Sequence, residues 1–414
     1  MAKITWQKKA WDRITRVFFH PGTGLVYDYI TADDPEERFS HLPSVEEISL
    51  SFPNPCGWST GMEDCALNGG FLLDLLRLRG ETDTDFARLA AAGLIRCGNV
   101  HGKTGFVARG LSPHDGRSCY GNSSRDQFTL ATYGMWRFLT GYPSPDAGLK
   151  RDGKAFLRSV AEYCRKTVTP ANAYNLLRLD EKPAIVSTMW HCAPHETMRL
   201  PMIYGIAAVV TGEPCYCEWM RHYAATGLKQ TLTMDPQADW WDMPVIQMQL
   251  SLNFFRESGI APELEEGIRQ AMRMAASIAQ TRLMPLLEEA EAFDGDWGAL
   301  YDNWRYLPMK ATPETIAPDG SSALFGGLSY LNPVFRERYA HPNAMLRGIG
   351  NYLATIALCN EHPCPTSLID RVNRLLETID ISRCTGAGIL PLLYGYASIL
   401  FNQTQLQGDG MINS

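Results

Sequence analysis

Asn122-Ser-Ser-Arg-Asp-Gln-Phe-Thr-Leu-Ala-Thr-Tyr-Gly-Met-Trp136 is the stretch whose reading decides the fold. A Ser-capped helix opens here with Arg125 and Asp126 in its first turn, and almost no charge follows them. A helix that is apolar all round belongs inside a core, not at a wet surface. Its polar N-terminal end is then placed to meet something bound. The preceding loop, Arg109-Gly-Leu-Ser-Pro-His-Asp-Gly-Arg-Ser-Cys-Tyr-Gly-Asn122, adds Gly, His, Arg and Asp. Its length and its many ligand-capable groups read as a pocket cover, with a plain link as the alternative.

The same design recurs on both sides of this stretch. Apolar helices are predicted over 60–78, 195–211, 240–255, 343–359 and 387–401, each behind a polar start. Between them lie mixed, charge-bearing helices over 83–97, 151–167, 215–228, 261–290 and 367–379, with a first helix over 6–19. Residues 20 to about 58 read as loop, and no run of alternating strands competes. Thr60-Gly-Met-Glu63 and Ser367-Leu-Ile-Asp370 match helix-opening capping patterns. Pro201, Pro244 and Pro391 fall early in apolar helices, where a missing N–H is tolerated. About twelve helices in strict alternation predict an all-α, (α/α)6 toroid, with an inner ring packed on both sides and an outer ring with one wet face. An open solenoid would also alternate, but no sequence repeat accompanies the pattern. The whole chain, 1–414, is expected to form one such domain.

Composition narrows the partners. With 38 Lys and Arg against 45 Asp and Glu, the formal charge is −7 and no basic block is present, which argues against nucleic acid. No apolar run has membrane length. Eleven cysteines, an odd number without framework spacing, suit free thiols. The first residues lack the pattern of a secretory leader, so a cytoplasmic location is expected.

In a toroid the inner helices run parallel and their N-termini converge, each bringing about half a positive charge and several unpaired N–H groups. The polar starts that would meet are Thr60/Glu63/Asp64, Ser124/Arg125/Asp126, Trp190/His191/His195/Glu196, Asp239/Trp240/Trp241/Asp242, His341/Asn343 and the turn at 385–388. Loops add Arg109, His114, Asp115, Arg117, Tyr301, Asp302, Trp304 and Arg305. Aromatic rings stack on sugar C–H faces, carboxylates bind hydroxyls, and Arg pairs with a carboxylate substituent. Two carboxyl groups are the usual equipment for glycoside cleavage. The bland alternatives stay open: Glu63 and Asp126 each lie three residues after a Thr or Ser and are equally plain caps, Asp239 and Asp242 fit as caps or hydroxyl ligands, and Trp240-Trp241 fits core packing. Metal patterns are weak, since Cys215 and Cys217 do not share a helix face and His191-x3-His195 is interrupted by Pro194. No metal and no cofactor is expected.

The runs Asn54-Pro-Cys-Gly-Trp-Ser-Thr-Gly-Met-Glu-Asp64, Arg109-Gly110 and Asn122-Ser-Ser-Arg-Asp-Gln127 resemble sequences of glycoside hydrolase family 154, a family associated with β-glucuronidase activity. More distantly the chain is similar to the unsaturated glucuronyl hydrolases of families 88 and 105, which share the toroid and act on uronic acids. The likeness is strongest over about residues 50–140. It implies a hydrolase of uronic-acid-containing oligosaccharides with Asp126 in the place of the acid/base aspartate. On this expectation Asp126 is the proton donor and Glu63 its partner base, with Glu196 as the other candidate. Arg109, Arg125 and His195 grip the substrate carboxylate, and His114, Glu196, Asp239, Trp240 and Trp304 complete the binding site. The alternatives are an unsaturated glucuronyl hydrolase, a uronate lyase using His195 or Tyr301, a sugar epimerase or isomerase, and a non-catalytic glycan-binding protein. The length of the loop at 293–341 makes it a candidate to cover a neighbour's pocket in a homodimer.

Overall fold

The computed structural model describes residues 5–306, 341–362 and 364–412, with backbone alone at 185 and 404–412. Thirteen helices lie in this span: α1 (Trp6–Arg13), α2 (Val45–Ser49), α3 (Cys65–Leu78), α4 (Asp85–Cys97), α5 (Arg125–Leu139), α6 (Ala147–Thr167), α7 (Arg199–Thr211), α8 (Pro214–Thr231), α9 (Asp242–Ser258), α10 (Glu265–Ala292), α11 (Pro342–Ala357), α12 (Thr366–Thr378) and α13 (Ile389–Ile412). Helix α5 buries every residue from Gln127 to Phe138, and α9 every residue from Asp242 to Phe255. Helix α6 by contrast buries Phe156, Leu157, Val160, Ala161 and Cys164 while exposing Arg151, Lys154 and Arg158. Each fully buried large apolar side chain contributes about 1.5–3 kcal/mol, so the all-round apolar helices take the inside.

Six of them close a ring. Helix α3 packs on α5, α5 on α7, α7 on α9, α9 on α11, α11 on α13, and α13 back on α3. Helices α4, α6, α8, α10 and α12 lie outside, and α1 closes the outer layer against α13. This is the all-α toroid of alternating inner and outer helices that the hydrophobic pattern predicts.

Two seams of the inner ring are tighter than the rest. A Cβ on Gly134 of α5 would overlap the Gly70 carbonyl of α3, and one on Gly70 would overlap the Leu130 carbonyl. Between α11 and α13, Gly350 and Gly395 meet in the same way. Only glycine allows backbones this close. The C-terminal end of the ring is tied by Asp74, which is 2 % exposed. It accepts from Arg77 Nε at 2.6 Å, Arg137 Nε at 3.4 Å and Tyr394 Oη at 2.8 Å, and Arg137 also pairs with Glu257. Helices α3, α5, α9 and α13 are thereby joined across the lumen. Burial alone would raise the Asp74 pKa, but the two guanidiniums hold it below the usual value.

Several boundaries differ from the sequence expectations, each for a local reason. Helix α3 begins at Cys65 rather than Thr60, because Ser59 (φ 65°) and Gly61 (φ 90°) are left-handed and cannot continue a right-handed helix. Helix α1 ends at Arg13 and runs on as a π-turn over Ile14–Phe18. The supposed loop up to 58 contains α2, opened by a reciprocal Ser44/Glu47 capping box. Two short antiparallel pairs interrupt the helices: β1 (Phe19–His20) with β2 (Leu25–Val26), and β3 (Asn175–Leu177) with β4 (Pro183–Thr188). Ser367 and Asp370 form no cap, since α12 starts at Thr366 behind Pro365. Pro201, Pro244 and Pro391 each fall on the third helical residue, where no intrahelical N–H bond is lost. All eleven cysteines are free, and no described helix is long and apolar enough to cross a membrane.

Candidate functional site

The N-terminal ends of the inner helices are linked to one another by polar contacts, which defines a single mouth. At α3, the lead-in residue Asp64 accepts from Gln127 Nε2 of α5 at 2.8 Å and lies 3.8 Å from Arg109 Nη1. Between α5 and α7, Asp126 Oδ1 receives Arg199 Nη1 at 2.8 Å, while Arg125 pairs with Glu196. Glu196 also lies 3.4 Å from His195 Nε2 and 3.9 Å from Arg199 Nη2. Between α9 and α11, Asp242 accepts from Asn351 Nδ2 at 2.7 Å and lies 3.4 Å from Arg347 Nε. The lead-in to α13 joins through Asp28, whose carbonyl accepts the Ala387 N–H at 2.8 Å.

The helices arrive with open N-termini. Asp64, Ser124, Met198 and Trp241 occupy the N-cap positions of α3, α5, α7 and α9, and none makes a side-chain cap bond. In α3 the first-turn donors are met from elsewhere: Ala66 N–H by the Arg109 carbonyl at 2.8 Å and Leu67 N–H by Gln127 Oε1 at 2.9 Å. Asp64 and Asp126 are therefore free of capping duty. Both lie deep in the fold, yet 34 % and 33 % of their side-chain surface stays open.

Their environments push these two carboxyls apart. Burial raises the Asp64 pKa and the charge of Asp126 adds to it; Arg109, Arg347 and the Gln127 hydrogen bond only partly offset this. For Asp126 burial again acts upwards, but Arg199, then Arg125 and Arg109, outweigh it and hold the group below the usual carboxylate value. Six carboxylates, Asp28, Glu63, Asp64, Asp126, Glu196 and Asp242, share the mouth with four guanidiniums, Arg109, Arg125, Arg199 and Arg347. Asp28, which burial and its acidic neighbours Asp64 and Glu63 also push well up, accepts three N–H bonds. Asp64 accepts one, from Gln127.

No protein-family model, curated protein or solved structure matches this chain.

The residues singled out in the sequence divide sharply. Arg109, Arg125, Asp126, His195 and Glu196 meet at the mouth as described, and Glu63 stands at its edge. The Glu63 carboxylate takes the Ser59 N–H, and its carbonyl receives Arg109 and Gln127. Asp126 is no capping residue; Arg199 claims it. Trp240 borders the mouth, its ring 5.0 Å from that of His195, while its Nε1 donates to the Asp235 carbonyl at 2.6 Å. Three expectations are corrected. Asp239 is turned into solvent, paired with Arg282 of outer helix α10 at 3.0 Å, because Asp242 takes the inward position one turn on. His114 is exposed on the Arg109–Asn122 loop, within electrostatic reach of His20. Trp304 is wholly buried, donates to the His41 carbonyl at 2.7 Å and packs on Phe52, so it braces a loop and has no face left for a sugar.

Asp28, Gln127, Arg199 and Arg347 were not singled out. Arg199 carries the only usable signal: it follows Glu196 by three residues and is the one charge in an otherwise apolar helix. Asp28 sits in a short segment with no periodicity, and only the folded chain brings it to α3. Of the long loop at 293–341, residues 307–340 lie outside the described residues, and with them the expectation of a cover over a neighbouring subunit. Among the described residues no group of three His, Cys, Asp or Glu is arranged to hold a metal ion.

Proposed function

We propose that this chain is a glycoside hydrolase directed at uronic-acid-containing glycans, releasing terminal glucuronic acid, with Asp64 as proton donor and Asp126 as base or nucleophile. The observation that carries the reading is the opposed pair: Asp64 pushed towards its protonated form and Asp126 held ionised, both open to one mouth. Pairs of titratable groups driven apart by their surroundings mark an acid and a base. Asp64 gives its proton to the departing glycosidic oxygen as the bond to the anomeric carbon breaks. Asp126 supplies an electron pair, either by taking a proton from a water that attacks that carbon, or to the carbon directly. In the second case a water deprotonated by Asp64 then cleaves the glycosyl ester, which frees the sugar and restores both carboxyls. The assignment moves the donor from Asp126 to Asp64, because Arg199 leaves Asp126 too acidic to hold a proton near neutrality.

The uronate preference rests on the family resemblance and on the guanidiniums. Arg125 and Arg199 are already engaged by Glu196 and Asp126, whereas the carboxylate nearest Arg109 is 3.8 Å away and its Nε has no partner among the described residues. Arg109 is the natural partner for a substrate carboxylate. Bringing that anion in would raise Asp64 further and keep its proton in place.

Aryl glucuronides and unsaturated uronyl disaccharides test this directly, read by released phenol and by loss of ultraviolet absorbance. Asp126→Asn and Asp64→Asn are expected to fold normally and to lose roughly 10³-fold or more in kcat. The wild-type kcat/KM profile should fall on its alkaline side as Asp64 loses its proton, and Asp64→Asn should remove that limb. A folded, active Asp126→Asn variant removes the pair from the mechanism. Wild-type protein that turns over neither substrate class ends the uronoside reading.

A further inference from the structure

We infer that Glu196 is a positioning residue of this site: it draws one arm of the Arg199 guanidinium away from Asp126, so that a single oxygen of that carboxylate is held and the other is left for the reaction. The inference rests on the reading of Asp126 as base or nucleophile.

Arg199 opens α7 and is 2 % exposed, so its guanidinium meets only what the fold places around it. Nη1 donates to Asp126 Oδ1 at 2.8 Å, and Nη2 lies 3.9 Å from Glu196 Oε1. Nε is buried with no hydrogen-bond partner among the described residues. A guanidinium beside a carboxylate normally forks, with two parallel bonds to its two oxygens. Here it does not. Among the described residues no hydrogen bond reaches Asp126 Oδ2, and 33 % of the Asp126 side chain stays open to the mouth.

The residue that divides the fork is itself firmly set. Pro194 opens a short turn that ends at Glu196, and the turn is fixed to α8: Thr231 Oγ1 donates to the Pro194 carbonyl at 3.0 Å, and Thr197 Oγ1 to the Gly227 carbonyl at 2.8 Å. Three residues separate Glu196 from Arg199, which places both on one side of the entry to α7. Arg125 also pairs with Glu196 Oε1, and His195 Nε2 lies 3.4 Å from it. Three basic side chains thus converge on one oxygen.

Glu196 is placed to hold arginines and not to meet a sugar. Only 7 % of its side chain is open, against 33 % for Asp126. Burial acts to raise its pKa, but His195, then Arg199 and Arg125, outweigh it and hold the group below the usual carboxylate value. It therefore stays ionised and competes with Asp126 for Arg199. Without that charge, Nη2 has Asp126 Oδ2 as its remaining anion, the fork closes, and neither oxygen of Asp126 is left for water or the anomeric carbon.

Glu196→Gln tests this by crystal structure and by kinetics. Arg199 Nη2 is expected at about 2.8 Å from Asp126 Oδ2, with kcat lowered roughly 10²-fold and KM unchanged. A lysine at 199 is a point charge that cannot fork. In an Arg199→Lys background, Glu196→Gln should therefore lower kcat by no more than about twofold. Glu196→Gln leaves Arg125 buried without its anion, so Arg125→Gln/Glu196→Gln, which removes the pair together, is the second protein to crystallise. The same closed fork is expected there. An Arg199 that keeps its single bond to Asp126 in these variants overturns the inference. So does a loss of kcat as large in the Arg199→Lys background as in the wild type. The crystallographic readout needs no turnover: a closed fork in a protein that cleaves no uronoside ends the functional reading and leaves the grip of Glu196 on Arg199 standing.

Discussion

Replacing Arg199 by Gln removes the cation that holds Asp126 ionised, and its effect on stability should depend on pH in a defined direction. Arg199 is 2 % exposed and lies 2.8 Å from Asp126. Breaking a buried pair by removing one partner costs about 3–5 kcal/mol when the remaining charge is sealed in. Asp126 keeps 33 % of its side chain open and retains Arg125 and Arg109 nearby, so we take about 2 kcal/mol at pH 7 as the discounted figure. In the wild type the folded pKa of Asp126 lies below its unfolded value of about 3.9, so the pair's contribution is complete above that value and is lost as pH falls through the folded one. In Arg199→Gln the burial effect is no longer outweighed, the Asp126 pKa rises, and the folded variant takes up a proton in mildly acid solution. The gap between the two proteins should therefore be widest at pH 7–8 and narrow towards about pH 4, first because the variant recovers. Urea unfolding of both proteins at five pH values between about 4 and 8 measures it, and kcat at pH 7 should fall on the order of 10²-fold. A stability gap that is flat across this range would refute the claim that Asp126 is buried, ionised and held by Arg199.

Gly134→Ala should destabilise by about 3 kcal/mol or more, because the added methyl meets the Gly70 backbone and not a side chain that can swing away; wild-type urea stability in this variant would exclude the close seam. Trp241, 59 % exposed at the start of α9 beside Trp240, stands on the rim where a departing sugar or aryl group would pass. Trp241→Ala should raise KM for an extended oligosaccharide about fivefold, equivalent to roughly 1 kcal/mol of stacking, with kcat and Tm unchanged. Equal KM values would remove Trp241 from substrate binding.

The ring was legible because one physical quantity, the number of wet faces per helix, differs between its two layers and is written plainly in the sequence. Helix α5, buried from Gln127 to Phe138, and α6, with Arg151, Lys154 and Arg158 outside, need no tertiary information to be told apart. The mouth was legible in part for the same reason, since polar residues at the start of an apolar helix have to meet something. Which carboxyl is held ionised by a cation was not legible. It depends on Arg199 reaching Asp126 across 73 positions, a distance at which no local pattern survives. Trp304 misled because an aromatic beside Arg and Asp has the composition of a sugar platform whether its faces are free or, as here, covered. The start of α3 misled because Thr60 and Glu63 have capping-box spacing, while Ser59 and Gly61 take a backbone conformation that spacing does not reveal.

The glycine contact between α3 and α5 has a further consequence. Asp64 and Asp126 stand at the heads of these two helices, and backbones meeting at Gly70 and Gly134 cannot slide or splay as bulkier neighbours do. The two carboxyls are mounted on a single rigid bracket. Helices α7 and α9, with the rim residues at their heads, have no such weld between them, so the groups that would select a ligand can diversify while the spacing of the central pair stays constant.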